Sequence, residues 1–201
     1  MRTFIAIELP PAVKQRVIER QRSLQRLLDE EGVGSAFRWT PADNLHLTLR
    51  FLGETGDTQR RQIEGALASI TAESPTFSLA LRAAGAFPNL RKPNILWLDF
   101  GGDLNMLAPL QRRIELAAQQ AGFTAEERAF TPHLTVARAQ KSASPAILAR
   151  AGEVLRTVTS APAPAGTPFA VAAFYLIRSD LHPSGSIYTP LATFALRQNA
   201  E

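Results

Sequence analysis

One short pattern occurs twice in the sequence, at positions far apart in the chain. NLHLTLRFLG begins at Asn44 and TPHLTVARAQ begins at Thr131, and each contains His-Leu-Thr followed by an apolar residue. These stretches contain two of the three histidines in the 201-residue chain, His46 and His133. Alternate side chains of a β-strand project from opposite faces, so each stretch is predicted to be a strand with His and Thr on one face and apolar residues on the other. The chain must therefore build two half-buried strands, each of which presents a polar pair.

Other periodic patterns predict the elements around these two strands. Strands are expected where β-branched and apolar residues run between turn residues, and helices where apolar residues recur at intervals of three and four. The predicted strands cover 3–9, 44–52, 76–83, 94–100, 133–137, 169–178 and 186–196. The predicted helices run from about 13 to Gly32, from 57 or 58 to 71, through 107–121 and over 144–157. The turn-rich segment 85–93, the proline-rich segment 160–168 and a turn at 182–185 are expected to connect them.

The order of these elements indicates the fold class. Strands and helices are interspersed without a steady alternation, which favours an α+β fold with antiparallel sheets over a doubly wound parallel sheet. The order strand, helix, His-Leu-Thr strand, helix in the first part recurs weakly in the second part, which predicts two similar lobes. A chain of this length with 45% hydrophobic residues can bury a core and fold alone.

Composition excludes several kinds of site and favours one kind of partner. The chain has no cysteine, which excludes disulfides, thiolate metal sites and a cysteine nucleophile. A formal net charge of +4 favours an anionic partner. There is no run of 18 apolar residues, and the N-terminal stretch is too short and too acidic for a signal peptide. We therefore expect a soluble, cytoplasmic protein without a membrane partner, and we expect a monomer.

The two polar pairs suit chemistry at a phosphodiester. An imidazole exchanges a proton near neutral pH, and a threonine hydroxyl two residues later can donate a hydrogen bond to an anionic oxygen. In-line displacement at phosphorus needs a base at the attacking oxygen, an acid at the leaving oxygen and donors to the oxygens between them. If the two strands face each other across a cleft, His46 and His133 could supply both proton transfers without a metal or a cofactor. Thr48 and Thr135 would then be the donors.

Two other interpretations stay open from the residues alone. The first is a non-catalytic module that binds RNA ends, in which the histidines only form hydrogen bonds. The second is a two-histidine metal site, which has weak support because no carboxylate lies at helical or strand spacing from either histidine.

The two motifs and the ends of the chain resemble one known superfamily. NLHLTLRFLG and TPHLTVAR are similar to the two His-x-Thr-x motifs of the 2H phosphoesterases. The start RTFIAIELP and the end IYTPLATFAL resemble the bacterial and archaeal branch, the RNA 2',3'-cyclic phosphodiesterases once called 2'-5' RNA ligases. The resemblance implies a single domain over 1–201 with two pseudo-two-fold lobes, one motif from each lobe facing a central basic cleft, and no metal.

The resemblance also implies a role for each site residue. His46 would donate a proton to the leaving 3' oxygen, and His133 would accept a proton from water, which leaves a 2'-phosphate end. Thr48 and Thr135 would hold phosphate oxygens, and Arg138 would add positive charge to the site. The substrate would be RNA that ends in a 2',3'-cyclic phosphate, including tRNA-derived RNA, and the reverse reaction would be 2'-5' ligation.

Strand parity gives different expectations for the two nearby arginines. Arg138 lies five residues after His133, so a regular strand would direct it to the opposite face, and it reaches the phosphate only if the strand ends or bulges near Ala137. Arg50 lies four residues after His46, and this parity predicts that it lines the cleft.

Other candidates are weaker. Arg91 and Lys92 are expected in a turn, either in solvent or near an RNA backbone. Tyr188 and Phe87 could stack on a base, although packing within the fold is favoured for both. His182 is expected to be structural or merely exposed.

Overall fold

The computed structural model describes residues 1–159, 166–183 and 185–198. Nine strands, four α-helices and two short 3-10 helices, Gly34–Ala36 and Ala42–Asn44, are found in these ranges. The strands are β1 (Arg2–Glu8), β2 (Phe37–Trp39), β3 (His46–Glu54), β4 (Phe77–Asn89), β5 (Lys92–Gly102), β6 (His133–Ala139), β7 (Phe169–Val171), β8 (Ala173–His182) and β9 (Gly185–Ala195). The helices are α1 (Pro11–Glu30), α2 (Asp57–Ala72), α3 (Leu104–Gln120) and α4 (Pro145–Thr159).

The strands form two antiparallel sheets, which confirms the predicted α+β class. One sheet has the order β3-β1-β8-β9 and the other has the order β2-β6-β5-β4-β7. Helices α2 and α3 lie against the first sheet, while α4 lies against the second and α1 packs on α4. The chain passes repeatedly between the two sheets, so each lobe is built from distant parts of the sequence. One His-Thr strand lies in each sheet, β3 in the first and β6 in the second.

The apolar face of each His-Thr strand is anchored in the core. Leu47 of β3 and Leu134 of β6 are both 0% exposed and belong to one cluster that includes residues of both sheets. Burying one leucine side chain stabilises the fold by roughly 1.5–3 kcal/mol. This anchoring fixes the register of both strands, because a slip by one residue would bring the histidine inside and the leucine outside.

The predicted connection over 85–93 is wrong for most of its length. β4 continues to Asn89 and β5 begins at Lys92, so two residues form the turn between them. Gly85 is selected by close packing, because a Cβ there would lie 2.3 Å from the ring of Trp97 on β5. Its cross-strand contact therefore outweighs the usual turn preference of glycine.

Two further differences concern short segments, and a third segment is only partly described. The edge strand Phe37–Trp39 was not predicted, because three residues carry too little periodicity. The predicted connection 160–168 lies outside the described residues over 160–165. Within the predicted turn at 182–185, β8 extends to His182 and β9 begins at Gly185, while position 184 lies outside the described residues.

Candidate active site

A β-bulge follows the first His-Thr pair. Thr48 and Arg50 of β3 pair with consecutive residues of β1, so Leu49 between them is an extra residue. An extra residue exchanges the faces of all residues that follow it in the strand. Leu49 and Arg50 are consequently both buried, and Phe51 turns to the open face, where it is 57% exposed.

The second His-Thr strand contains the same irregularity at the same place. Thr135 and Ala137 of β6 pair with consecutive residues of β5, so Val136 is the extra residue. Val136 and Ala137 are both buried, and Arg138 turns to the face that carries the histidine and threonine. The structure therefore contains the bulge near Ala137 that Arg138 needs in order to face the same side as His133.

The two His-Thr pairs line one cavity of about 390 Å³ between the lobes. His46, Thr48, His133, Thr135 and Arg138 all contribute to its wall. The rest of the described wall comes from β2 and the residues after it, from Phe51 and from the start of β9: Arg38, Trp39, Thr40, Pro41, Asn44, Phe51, Gly185, Ser186, Ile187 and Tyr188. All five residues that the sequence singled out as site residues are thus brought together.

His46 is held tightly on its side of the cavity. Its Nδ1 lies 2.9 Å from the carbonyl oxygen of Asn44, and its Nε2 lies 3.0 Å from the Thr48 hydroxyl. The ring packs against Phe4 at 4.8 Å and against the edge of Tyr188 at 5.3 Å between centroids. The pKa of His46 is lowered from 6.5 to about 4, mainly by burial; the hydrogen bond to the Asn44 carbonyl opposes this shift, and the nearby positive charges of Lys14 and Arg138 add to it. In the free protein at neutral pH this imidazole is uncharged.

His133 is held in the same way but is less enclosed. Its Nδ1 lies 2.8 Å from the carbonyl oxygen of Thr131, so the Nδ1 proton is donated to the backbone and Nε2 is left to the cavity. Its ring meets the edge of Phe87 at 5.0 Å between centroids. Among the described residues, Nε2 of His133 and the hydroxyl of Thr135 have no hydrogen-bond partner. Both groups are available to a ligand, whereas Thr48 is already engaged with its histidine.

The expectation that Arg50 lines the cleft is wrong. Arg50 is 7% exposed and forms an ion pair with Glu115 of α3. It also donates hydrogen bonds to the backbone carbonyls of Phe51 and Thr124. The bulge at Leu49 is the reason, because it places Arg50 on the core side of the strand.

Phe51 and Arg38 are among the cavity residues that the sequence did not indicate. Strict alternation in the predicted strand 44–52 would place Phe51 on the buried face with the leucines. Arg38 lies on the unpredicted strand β2, directly across from Arg138 in the β2–β6 pairing. The repeated motif could have indicated that Phe51 faces the cavity. Phe51 and Arg138 each lie five residues after a histidine, so a bulge that turns Arg138 to the open face predicts a matching bulge before Phe51.

The weaker candidates are distributed around the cavity. Tyr188 lines it and packs on His46, whereas Phe87 supports His133 and is outside the described lining. Arg91 and Lys92 are exposed at the β4–β5 turn, outside that lining, and His182 is exposed.

Residues 1–159, 166–183 and 185–198 contain no group of three or more His, Asp or Glu side chains that could hold a metal ion. Over the same ranges, none of the helices has the length and apolar character required to cross a bilayer.

Comparisons with known proteins find similar proteins over most of the chain. A family model described as LigT like Phosphoesterase matches residues 7–97 and 104–188. The RNA 2',3'-cyclic phosphodiesterase of Methanothermobacter thermautotrophicus is 29% identical over 196 residues, which cover 98% of this chain and 99% of that protein. The protein of the same name from Archaeoglobus fulgidus is also 29% identical over 196 residues, covering 96% and 99% of the two chains.

Solved structures are similar over the whole chain. The protein TT0787 of Thermus thermophilus superposes with a TM-score of 0.78 at 26% identity and covers 100% of both chains. E. coli LigT complexed with 3'-AMP gives a TM-score of 0.73 at 28% identity and covers 97% of both chains. The ranges matched by the family model include both His-Thr strands and therefore both sides of the cavity. The chain is an enzyme that belongs to the LigT-like phosphoesterase family of the 2H superfamily.

Proposed function

We propose that the protein hydrolyses RNA ends that carry a 2',3'-cyclic phosphate and leaves 2'-phosphomonoester ends. The observation that carries this proposal is the convergence of two His-Thr pairs, from separate sheets, on one cavity. In both pairs the histidine Nδ1 is tied to a backbone carbonyl two residues earlier, which directs proton exchange to Nε2. The names of the relatives, RNA 2',3'-cyclic phosphodiesterase, support the same substrate.

Each imidazole exchanges a proton with one oxygen atom of the reaction. Nε2 of His133 accepts a proton from water as the water oxygen bonds to phosphorus, and Nε2 of His46 gives a proton to the 3' oxygen as its bond to phosphorus breaks. The product has a 3' hydroxyl and a 2'-phosphomonoester. Thr48, Thr135 and Arg138 stabilise the negative oxygens of the transition state.

His46 must gain a proton before it can act as the acid. In the free protein the Nδ1 proton is donated to Asn44, so the Thr48 hydroxyl donates to the bare Nε2. A bound phosphate anion favours the charged imidazole and raises its pKa. Once Nε2 is protonated it donates to its partners, and the hydroxyl proton of Thr48 becomes free to bond a phosphate oxygen. Substrate binding would thereby assemble the acid and one phosphate donor together.

Further parts of the proposal follow from the same site. Two imidazoles account for both proton transfers, so the reaction needs no metal. A 5' hydroxyl can replace water as nucleophile: His133 accepts its proton as the 5' oxygen bonds to phosphorus, His46 gives a proton to the departing 3' oxygen, and a 2'-5' linkage is formed. Residues 1–201 act as one domain, which the core shared by both sheets supports, and the working unit is a monomer in the cytoplasm.

Incubation with an oligoribonucleotide that ends in a 2',3'-cyclic phosphate, in the presence of a chelator, tests the proposal. The expected product carries its phosphate on the 2' oxygen. His46→Ala and His133→Ala should each lower turnover by about 10²–10⁴-fold while binding of the oligonucleotide is kept. His182→Ala is the matched control, because His182 is exposed outside the cavity lining. Binding without turnover by the unmodified protein would support the non-catalytic module.

A further inference from the structure

Arg38 and Arg138 form a cross-strand pair of like charges. They lie directly opposite each other in the β2–β6 pairing, so their Cβ atoms are about 5 Å apart. Both side chains are exposed and both line the cavity. Like charges at directly opposite positions destabilise a sheet. A pair of this kind at a cavity wall is favoured when an anion lies between or beside the two guanidinium groups.

No carboxylate neutralises this pair within the part of the chain that the structure describes. Several arginines elsewhere in the same part are paired: Arg50 with Glu115, Arg60 with Glu64, Arg113 with Glu73, Arg150 with Glu31 and Arg178 with Asp180. Arg38 and Arg138 thus differ from these other arginines in offering their donors to the cavity. Guanidinium groups suit phosphate oxygens, because they present several N–H donors in a fixed plane.

The sheet order separates the tasks of the two arginines. Arg138 shares strand β6 with His133 and Thr135, so it serves the phosphate on which these residues converge. Arg38 lies one strand further out, on the edge strand β2, at a strand spacing of about 4.8 Å. Arg38 is therefore displaced by one strand, on the side away from β5, from the residues of β6 that converge with the first His-Thr pair.

We propose that Arg38 binds the phosphate on the 5' side of the terminal nucleotide, so that the enzyme selects RNA chain ends over free cyclic mononucleotides. This inference rests on the proposed function. A nucleoside 2',3'-cyclic phosphate fills only the site of Arg138 and the two His-Thr pairs. An RNA end brings a second phosphate, which Arg38 binds with charge-assisted hydrogen bonds.

Two substrates that differ by one phosphate provide the test. One is adenosine 2',3'-cyclic phosphate, and the other is the same compound with a 5' methyl phosphate diester, which imitates the internucleotide linkage without adding a base. The unmodified enzyme should show a kcat/KM about tenfold higher for the 5' diester. In Arg38→Gln this ratio should fall toward one. In Arg38→Lys it should be intermediate, because lysine keeps the positive charge but lacks the planar set of N–H donors of the guanidinium group. Arg91→Gln, at the exposed β4–β5 turn, should keep the ratio of the unmodified enzyme.

Each outcome has a distinct meaning. Absence of turnover of both compounds and of the oligoribonucleotide that ends in a 2',3'-cyclic phosphate would contradict the proposed function itself, whereas turnover of the oligoribonucleotide alone would show that the 5' phosphate is not sufficient and would overturn the role of Arg38. Turnover of both with a ratio near one would overturn only the role of Arg38. Equal losses on both compounds in Arg38→Gln would also overturn it, since Arg38 would then act on the scissile phosphate together with Arg138. A urea titration of Arg38→Gln checks folding, and the ratio of two substrates measured on one preparation is independent of the folded fraction.

Discussion

Phe51 and Arg138 occupy equivalent positions in the two halves of the cleft, although one is apolar and the other is charged. Each lies five residues after its histidine, and each is turned to the open face by an extra residue two positions earlier, Leu49 or Val136. The approximate two-fold arrangement that duplicates the histidines and threonines is therefore broken at this position. One half offers a cation to an anionic oxygen, and the other offers an exposed aromatic face.

Replacement of Arg138 by glutamine should reduce catalysis. A hydrogen bond to a charged group contributes about 1.5–3 kcal/mol, so kcat/KM should fall by roughly 10- to 100-fold on any 2',3'-cyclic substrate. Steady-state kinetics on a short oligoribonucleotide measures the loss. Arg91→Gln serves as the control, and an undiminished kcat/KM in Arg138→Gln would show that this guanidinium does not meet the phosphate.

Replacement of Phe51 by alanine should weaken binding of the terminal base. The ring is 57% exposed at the cavity, and stacking of a base on an aromatic side chain contributes about 1–3 kcal/mol. KM for an oligonucleotide should rise at least about fivefold, whereas KM for a substrate whose terminal nucleotide lacks its base should not change. Leu181→Ala is the matched control, because Leu181 is an exposed apolar residue outside the described cavity lining. Equal losses on both substrates would exclude stacking.

The lowered pKa of His46 predicts a low titration midpoint for the ring and a pH-dependent stability of the fold. NMR titration of the free protein should give a midpoint near pH 4 for this ring. In the unfolded chain the histidine takes up its proton near pH 6.5, so between pH 6.5 and 4 the unfolded state holds more protons than the folded state. The free energy of unfolding should therefore decrease as the pH is lowered through this window. His46→Gln should remove that part of the slope, and a ring that titrates near pH 6.5 would contradict the effect of burial.

A substrate with sulfur at the 3' bridging position should separate the acid from the base. A thiolate leaves without receiving a proton, so this substrate bypasses the acid and still needs the base. With the sulfur compound, His46→Ala should recover most of the activity that it loses on the oxygen compound, while His133→Ala should remain impaired. Recovery in His133→Ala instead would reverse the two roles.

The ion pair between Arg50 and Glu115 should stabilise the first His-Thr strand against α3. Both groups are largely buried, with 7% and 15% of their side chains exposed. Burial alone would raise the pKa of Glu115, but hydrogen bonds from the Gln119 side chain and the Glu126 amide, together with Arg50, lower it. Arg50→Met leaves the carboxylate without its cation and should cost about 3–5 kcal/mol in urea unfolding.

A double variant tests whether the pair or the separate residues matter. Arg50→Met combined with Glu115→Leu removes both charges and should regain much of the stability lost in Arg50→Met. As the pH falls, protonation of Glu115 should reduce the stability of the unmodified protein and leave the double variant unaffected at this site. If Arg50→Met alone is as stable as the unmodified protein, the buried pair has no such role.

The sequence determined the parts of this protein that depend on short-range periodicity. The alternation around His46 and His133 predicted two half-buried strands with His and Thr on the open face, and leucines that are 0% exposed anchor both strands. The antiparallel α+β class followed from the order of the elements and is confirmed. The repetition of His-Leu-Thr indicated one shared site, because two matched motifs in a chain with three histidines imply a common task.

Tertiary structure decided which side chains join those motifs in the cleft. A bulge depends on pairing with the neighbouring strand, so periodicity alone placed Arg50 in the cleft and Phe51 in the core, and the fold reverses both. Arg38 reaches the cavity because a strand of three residues pairs with β6. Three residues are too few to show a periodic pattern, so the sequence does not predict this strand. The burial that lowers the pKa of His46 likewise depends on tertiary packing, since Phe4 and Tyr188, which contact the ring, are distant from it in sequence.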